Sequence, residues 1–213
     1  MADLEFFFDP VCPWAWITSR WVSEVQMLRD YDVVWRFISL KVLNEHRIGD
    51  DPDYDEEWQQ SHFAGLYAHR VCDEVRLQHG NAGVAALYTA LGTAFHPGGR
   101  RREINADPVG FMKDVLESAG LPVELAAHAL DDSHDAYVRT DTELALTRTG
   151  HGVGTPILTF RPGHANEASL FGPVIRHIPR GDEALKLWDA IETLAASGVS
   201  EIKRTKRGEL NFD

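Results

Sequence analysis

Asp9-Pro10-Val11-Cys12-Pro13-Trp14-Ala15-Trp16 is the stretch that decides the fold. An apolar run, Leu4, Phe6, Phe7 and Phe8, stops at Asp9-Pro10, and an amphipathic segment opens directly after Cys12. The pattern predicts a strand, a tight loop and a helix. Cys12 falls at or near the N-cap and Pro13 at N1, where its fixed φ fits and its missing N–H is no loss. The N–H groups of a first helical turn and the positive end of the helix dipole favour thiolate over thiol, which makes Cys12 a candidate nucleophile. In a C-x-x-C redox motif a second cysteine, three positions on, opens the mixed disulfide. Here that position is Ala15, and the only other cysteine, Cys72, lies sixty positions downstream. A disulfide made by Cys12 must therefore be opened by a thiol from solution, by Cys72 if the fold brings it close, or not at all.

Outward from this stretch, Trp14, Ile17, Trp21, Val25 and Leu28 recur at spacings of three and four, one apolar face of a helix. Val33 to Leu40 is apolar on both faces and predicts a strand covered on both sides. The acidic, turn-rich stretch 50–55 follows, and then about ninety residues read as helical. Phe63, Tyr67, Val71 and Val75 form one stripe, and Val84, Leu87, Tyr88, Leu91 and Phe95 another. Asp107-Pro108 marks a further helix start, Gly120 its end, and two more helical segments run from Pro122 and Ser133 to Gly150. A glycine-dense turn ending in Thr155-Pro156 leads into strand 157–160, a second short strand at 169–171 and a last helix capped by Asp182. The order is β-α-β, helices, β-β-α: an α/β, thioredoxin-like fold with an all-helical insertion. Residues 1–45 and 150–213 form the thioredoxin-like domain, and 46–149 the inserted one.

Composition bounds the function. With 44% hydrophobic and 25% charged residues the chain is ordinary for a globular protein, and a net charge of −12 opposes phosphate-backbone binding. Arg100-Arg101-Arg102 is a local exception that reads as a solvated loop. No apolar run approaches bilayer length and the N-terminus lacks a basic, apolar leader. The expectations are a cytoplasmic protein with no nucleic-acid or membrane partner, reduced thiols and small-molecule substrates; a homodimer is allowed.

Asp9-Pro10-x-Cys12-Pro13-Trp14 before a helix, with Gly154-Thr155-Pro156 before the third strand, resembles the DsbA-like branch of the thioredoxin superfamily. The resemblance implies a cis-proline at Pro156 lying against the active-site cysteine. More closely, the blocks around Cys12, Leu43-Asn44-Glu45, Leu87-Tyr88-Thr89-Ala90, Val153-Gly154-Thr155-Pro156, Phe171-Gly172-Pro173-Val174, Ile178-Pro179-Arg180-Gly181 and Lys203-Arg204-Thr205 are similar to actinobacterial mycothiol-dependent nitroreductases, nearly end to end. That family implies mycothiol, or a similar low-molecular-weight thiol, as co-substrate, and disulfides or nitro-aromatic compounds as substrates. It implies Cys12 as attacking thiol, followed by Pro13 and Trp14 and set against Pro156, with Ala15 standing at the last position of the catalytic motif. It implies Trp14, Asn44 and Tyr54 as pocket lining; Trp16, Thr155 and His96 join Asn44 and Tyr54 as thiol- and substrate-binding candidates by their places beside the motif, the Thr-Pro turn and a helix end.

The family usually carries C-P-W-C, and this chain carries C-P-W-A. A monothiol enzyme, a chain whose resolving cysteine has been replaced by alanine, and non-redox chemistry each accommodate that departure. Kappa-class glutathione transferases and hydroxychromene-carboxylate isomerases share the inserted architecture but use serine where Cys12 stands; a catalytically silent homologue is the third class. Cys72 reads as packing, beside Val71 on an apolar helix face. His62 and His69 lie two turns apart, yet no H-E-x-x-H or C-x-x-C pair occurs, so no metal is expected. His96 and His151 flank loops, where either a pocket or a plain helix end explains them. Trp14 and Trp16 offer a flat apolar wall beside the nucleophile.

Overall fold

In the computed structural model, which describes residues 2–213, the elements follow the expected order. They are β1 (Leu4–Phe8), α1 (Pro13–Leu28), β2 (Val33–Phe37), α2 (Leu40–Leu43), α3 (Glu56–Phe95), α4 (Glu103–Ala106), α5 (Pro108–Ser118), α6 (Asp135–Thr149), β3 (Ile157–Phe160), β4 (Ala168–Phe171) and α7 (Gly181–Ala196). Short 3₁₀ turns occupy Glu45–Arg47, Val123–Leu130 and Asp132–His134. The four strands form one sheet in the order β2-β1-β3-β4. β3 is antiparallel to both β1 and β4, with Phe6 opposite Leu158 and Leu158 opposite Leu170.

The chain divides into two compact units. One holds the described residues up to Phe8, with Cys12–Arg36 and Ala145–Asp213; the other holds Asp9–Val11 and Phe37–Leu144. In the first, β1 and β3 lie at the centre of the sheet and every residue of each is buried, which is why both are mostly apolar, with Glu5 and Thr159 as the buried exceptions. β2 differs from the expectation of a strand covered on both faces. It is an edge strand that stops at Phe37, and Val34 and Arg36 stay half-exposed between buried Val33, Trp35 and Phe37. Arg36 there pairs with the buried carboxylate of Glu5 at 2.6 Å. Trp188 of α7 gathers Trp21, Tyr31 and Phe160 around it with ring centroids 5.1–5.5 Å apart, and the Trp21 indole N–H donates to the Ala184 carbonyl at 3.0 Å. α7 is not capped by Asp182, which lies in its first turn; Arg180 is the N-cap residue. Glu24 of α1 takes over the capping, accepting from the Gly181 N–H at 3.0 Å and from Arg180 at 3.1 Å, and the Gly181 bond holds its carboxyl below the usual range.

The second unit is helical. The two apolar stripes of 63–95 belong to consecutive helices, separated where Gly80 takes φ 64° and ψ −162°, a conformation open to glycine and costly to other residues. Asp107 caps α5 through the Gly110 N–H with Pro108 at N1, and Gly120 leaves it at φ 68°. Segment 123–130 forms 3₁₀ turns and α6 begins at Asp135.

Candidate active site

Cys12 is the N-cap residue of α1, with extended φ and ψ of −81° and 112°, and Pro13 follows at N1. Its carbonyl accepts the first helical bond, from Trp16 N–H at 3.0 Å. Cys12 is 7% exposed, and its thiol faces the Thr155 carbonyl at 3.5 Å. The Thr155–Pro156 bond is cis, and the Thr155 hydroxyl donates to the Phe7 carbonyl at 3.3 Å, fastening the turn to β1. Cys12, Thr155 and Pro156, distant in sequence, thus come together at one end of the sheet. Ala15 is fully buried.

The two flanking tryptophans differ. Trp16 is 4% exposed with the Arg20 guanidinium 4.2 Å from its ring centre, whereas Trp14 is half-buried and carries the Arg207 guanidinium at 5.5 Å. Arg207 belongs to the charged C-terminal segment, which is docked rather than frayed: the Asn211 N–H donates to the Arg176 carbonyl at 2.7 Å. A second cis bond, Gly172–Pro173, presents its proline carbonyl to the Thr18 hydroxyl at 2.8 Å.

Within the helical unit, the loop that leads to Cys12 is held on three atoms. The fully buried Asp9 accepts from Val11 N–H at 3.0 Å and from Leu40 N–H at 2.7 Å. His96 Nε2 lies 3.0 Å from the Pro10 carbonyl. A carbonyl only accepts, so Nε2 carries the proton. Burial pushes the His96 pKa down to about 4, which leaves the ring neutral near pH 7 and makes it an anchor of the loop. Asp9 was not among the sequence candidates, although Asp before Pro with a free N–H two residues on is the signature of an Asx turn.

Asn44 and Tyr54 are joined through Arg47. The Asn44 side chain donates to the Leu40 carbonyl at 2.8 Å and accepts from Arg47 at 3.1 Å, and the Arg47 guanidinium lies 5.0 Å from the Tyr54 ring centre. Tyr54 is buried, shares a 2.7 Å hydrogen bond with His62 Nδ1, and has its hydroxyl pKa raised by burial. His69 packs against the Phe37 ring, and His151 lies exposed in the turn before Thr155. Cys72 is fully buried and burial pushes its thiol pKa up, which opposes thiolate formation.

A cysteine at a proline-marked helix N-terminus, set against a cis-proline turn beside a four-stranded mixed sheet, defines a DsbA-like member of the thioredoxin superfamily. More narrowly, residues 11–204 match the family model described as Rv2466c-like, mycothiol-dependent nitroreductase Rv2466c, and the chain belongs to that family. The chain is 30% identical over 209 residues to the uncharacterized protein Rv2286c of Mycobacterium tuberculosis, covering 97% of this chain and 83% of the relative. Two solved structures share the fold. The cytosolic disulfide reductase DsbM of Pseudomonas aeruginosa, solved with GSH, superposes with a TM-score of 0.59 at 15% identity over 88% of this chain and 98% of its own. The "probable DsbA oxidoreductase SCO1869 from Streptomyces coelicolor" gives 0.58 at 16% identity, over 96% and 94%. The class that follows is a thiol-dependent oxidoreductase with a low-molecular-weight thiol as co-substrate. Among the described residues no helix is long and apolar enough to cross a membrane.

Proposed function

We propose that the protein is a cytoplasmic, mycothiol-dependent reductase that works through the single thiol of Cys12. The observation that carries this reading is the placement of Cys12 at the α1 N-cap, 3.5 Å from the Thr155 carbonyl, with buried Ala15 where a resolving cysteine would stand. The Cys12 thiolate attacks a disulfide, forming a mixed disulfide and releasing one thiolate. The thiolate of a mycothiol then attacks that mixed disulfide, leaving Cys12 reduced and carrying the departing group away as a disulfide with mycothiol. With a nitro-aromatic substrate, two mycothiols supply two electrons and two protons, giving the nitroso compound, water and mycothiol disulfide. Trp14, half-exposed beside Cys12 in sequence, is the aromatic surface for such a substrate. Asn44 and Tyr54 contribute to thiol binding on the strength of the family resemblance. Cys72, with its thiol disfavoured as thiolate, has no part in turnover.

The test is intact mass of the reduced protein after exposure to mycothiol disulfide, with peptide mapping, and again after adding free mycothiol. One adduct, on Cys12, that free mycothiol removes is the expected result. Adducts at neither cysteine would overturn it in favour of the transferase-like or silent classes, and a loss of two hydrogens linking Cys12 to Cys72 would overturn the monothiol step.

A further inference from the structure

Among the described residues, a group of ligating side chains outside the Cys12 region lies where α3 meets the 3₁₀ turns of 123–134. Glu74, His128 and His134 each bring one ligand atom within 4.8 Å of the other two. His128 Nδ1 and His134 Nε2 are 3.0 Å apart. Glu74 Oε2 stands 3.9 Å from the first nitrogen and 3.7 Å from the second, and Asp131 Oδ2 stands 3.7 and 3.9 Å from them. Ligands at about 2.0–2.1 Å from a tetrahedral ion lie about 3.3 Å from one another, and the separations among Glu74, His128 and His134, 3.9, 3.7 and 3.0 Å, fall on both sides of that edge length.

The orientation of each group is fixed from behind. Glu74 Oε1 is held by the Gln78 amide at 2.5 Å, leaving Oε2 toward the imidazoles. Asp131 Oδ1 accepts from Ser133 N–H at 3.0 Å, leaving Oδ2 toward them. His134, 7% exposed, has Nδ1 2.8 Å from Asp73 Oδ2, and Arg76 holds Asp73 Oδ1 at 2.7 Å. A carboxylate there places the ring proton on Nδ1 and turns the lone pair of Nε2 toward His128, Glu74 and Asp131. A carboxylate behind a histidine is the arrangement that orients metal-binding imidazoles. Two imidazoles with a carboxylate oxygen suit zinc and neighbouring transition ions, whereas calcium and magnesium take oxygen ligands in larger number.

We propose that Glu74, His128 and His134 form a binding site for a divalent transition-metal ion, zinc in the first instance, with Asp131 beside the two imidazoles and Asp73 as the positioning residue for His134. Such an ion clips the 123–134 segment to α3 and is independent of the chemistry at Cys12. The site escapes a search for H-E-x-x-H because its two histidines lie six positions apart in separate 3₁₀ turns, on either side of the extended Asp131 (φ −90°, ψ 104°), and the carboxylate comes from another helix.

The experiment uses the full chain without affinity-tag histidines, stripped with a chelator and titrated with zinc against a chromophoric competitor. One zinc per chain is expected, with binding weakened at least tenfold in His128→Ala and in Glu74→Gln and unchanged in Cys12→Ser. Asp73→Asn, which removes no ligand, weakens it about 10- to 100-fold. The proposal is overturned by failure to bind zinc at micromolar concentration. It is equally overturned by binding that is lost with Cys12→Ser and kept in the other variants. Circular dichroism of each variant shows whether it folds; should His128→Ala not fold, Glu74→Gln, on a partly exposed side chain, decides.

Discussion

Replacing Gly65 by alanine tests the anchoring of the loop that carries Cys12. A Cβ built on Gly65 stands 2.5 Å from Asp9 Oδ1 and 3.0 Å from Oδ2, so the buried carboxyl must move. Moving it breaks the bonds from Val11 N–H and Leu40 N–H, at 3.0 and 2.7 Å. Alanine is favoured over glycine inside a helix by about 1 kcal/mol. Each buried bond left unmade costs about 1–3 kcal/mol. The clash wins, and Gly65→Ala destabilises by about 1–5 kcal/mol where helix propensity alone predicts a gain. Asp9→Ala removes the same two bonds directly and also takes away the obstacle. In that background, Gly65→Ala should reverse sign and stabilise by up to about 1 kcal/mol, the kind of coupling a double-mutant cycle isolates. Urea denaturation of the four proteins gives the free energies, and the rate of mixed-disulfide formation at Cys12 reports the loop; both single variants should slow it. Gly65→Ala at or above the stability of the parent, or additive effects of the two substitutions, would refute the reasoning.

Ala15→Cys should restore the C-x-x-C spacing, so that oxidation removes two hydrogens and links Cys12 to the new cysteine, and a mycothiol adduct becomes short-lived. A long-lived adduct in this variant, followed by mass spectrometry, would deny position 15 a resolving role. His96, with a pKa of about 4 in the fold against 6.5 outside it, is neutral in the native state and takes up a proton more readily when unfolded. Its contribution is therefore full above pH 6.5 and is lost as the pH falls toward 4, by about 3 kcal/mol at 1.36 kcal/mol per pH unit. His96→Gln should flatten that part of the stability profile, measured as denaturation midpoint against pH; an unaltered slope would count against it. Iodoacetamide should label one cysteine, Cys12, in the native chain and two in denaturant, because Cys72 is fully buried; peptide mapping reads the sites, and native labelling of Cys72 would contradict its burial.

The sequence by itself determined what depends on neighbours along the chain. Largely apolar runs between turn residues marked the two central strands, the Cys12-Pro13 pair marked the start of α1, and Asp107-Pro108 marked α5. The resemblance carried by Thr155-Pro156 added the cis bond. Tertiary structure alone decided the rest. Periodicity showed that β2 is apolar but not that it lies at the sheet edge, since strand order depends on pairing with residues far along the chain. Asp182 looked like the cap of α7 until Glu24, 157 positions from Gly181, supplied the acceptor. The partners of Asp9, the Arg47 contacts that join Asn44 to Tyr54, the docking of Arg207 on Trp14 and the grouping of Glu74 with His128 and His134 have no local signature. Spacing records which face of an element a side chain occupies, whereas a hydrogen bond or a ligand set depends on which atoms folding brings within about 3–4 Å.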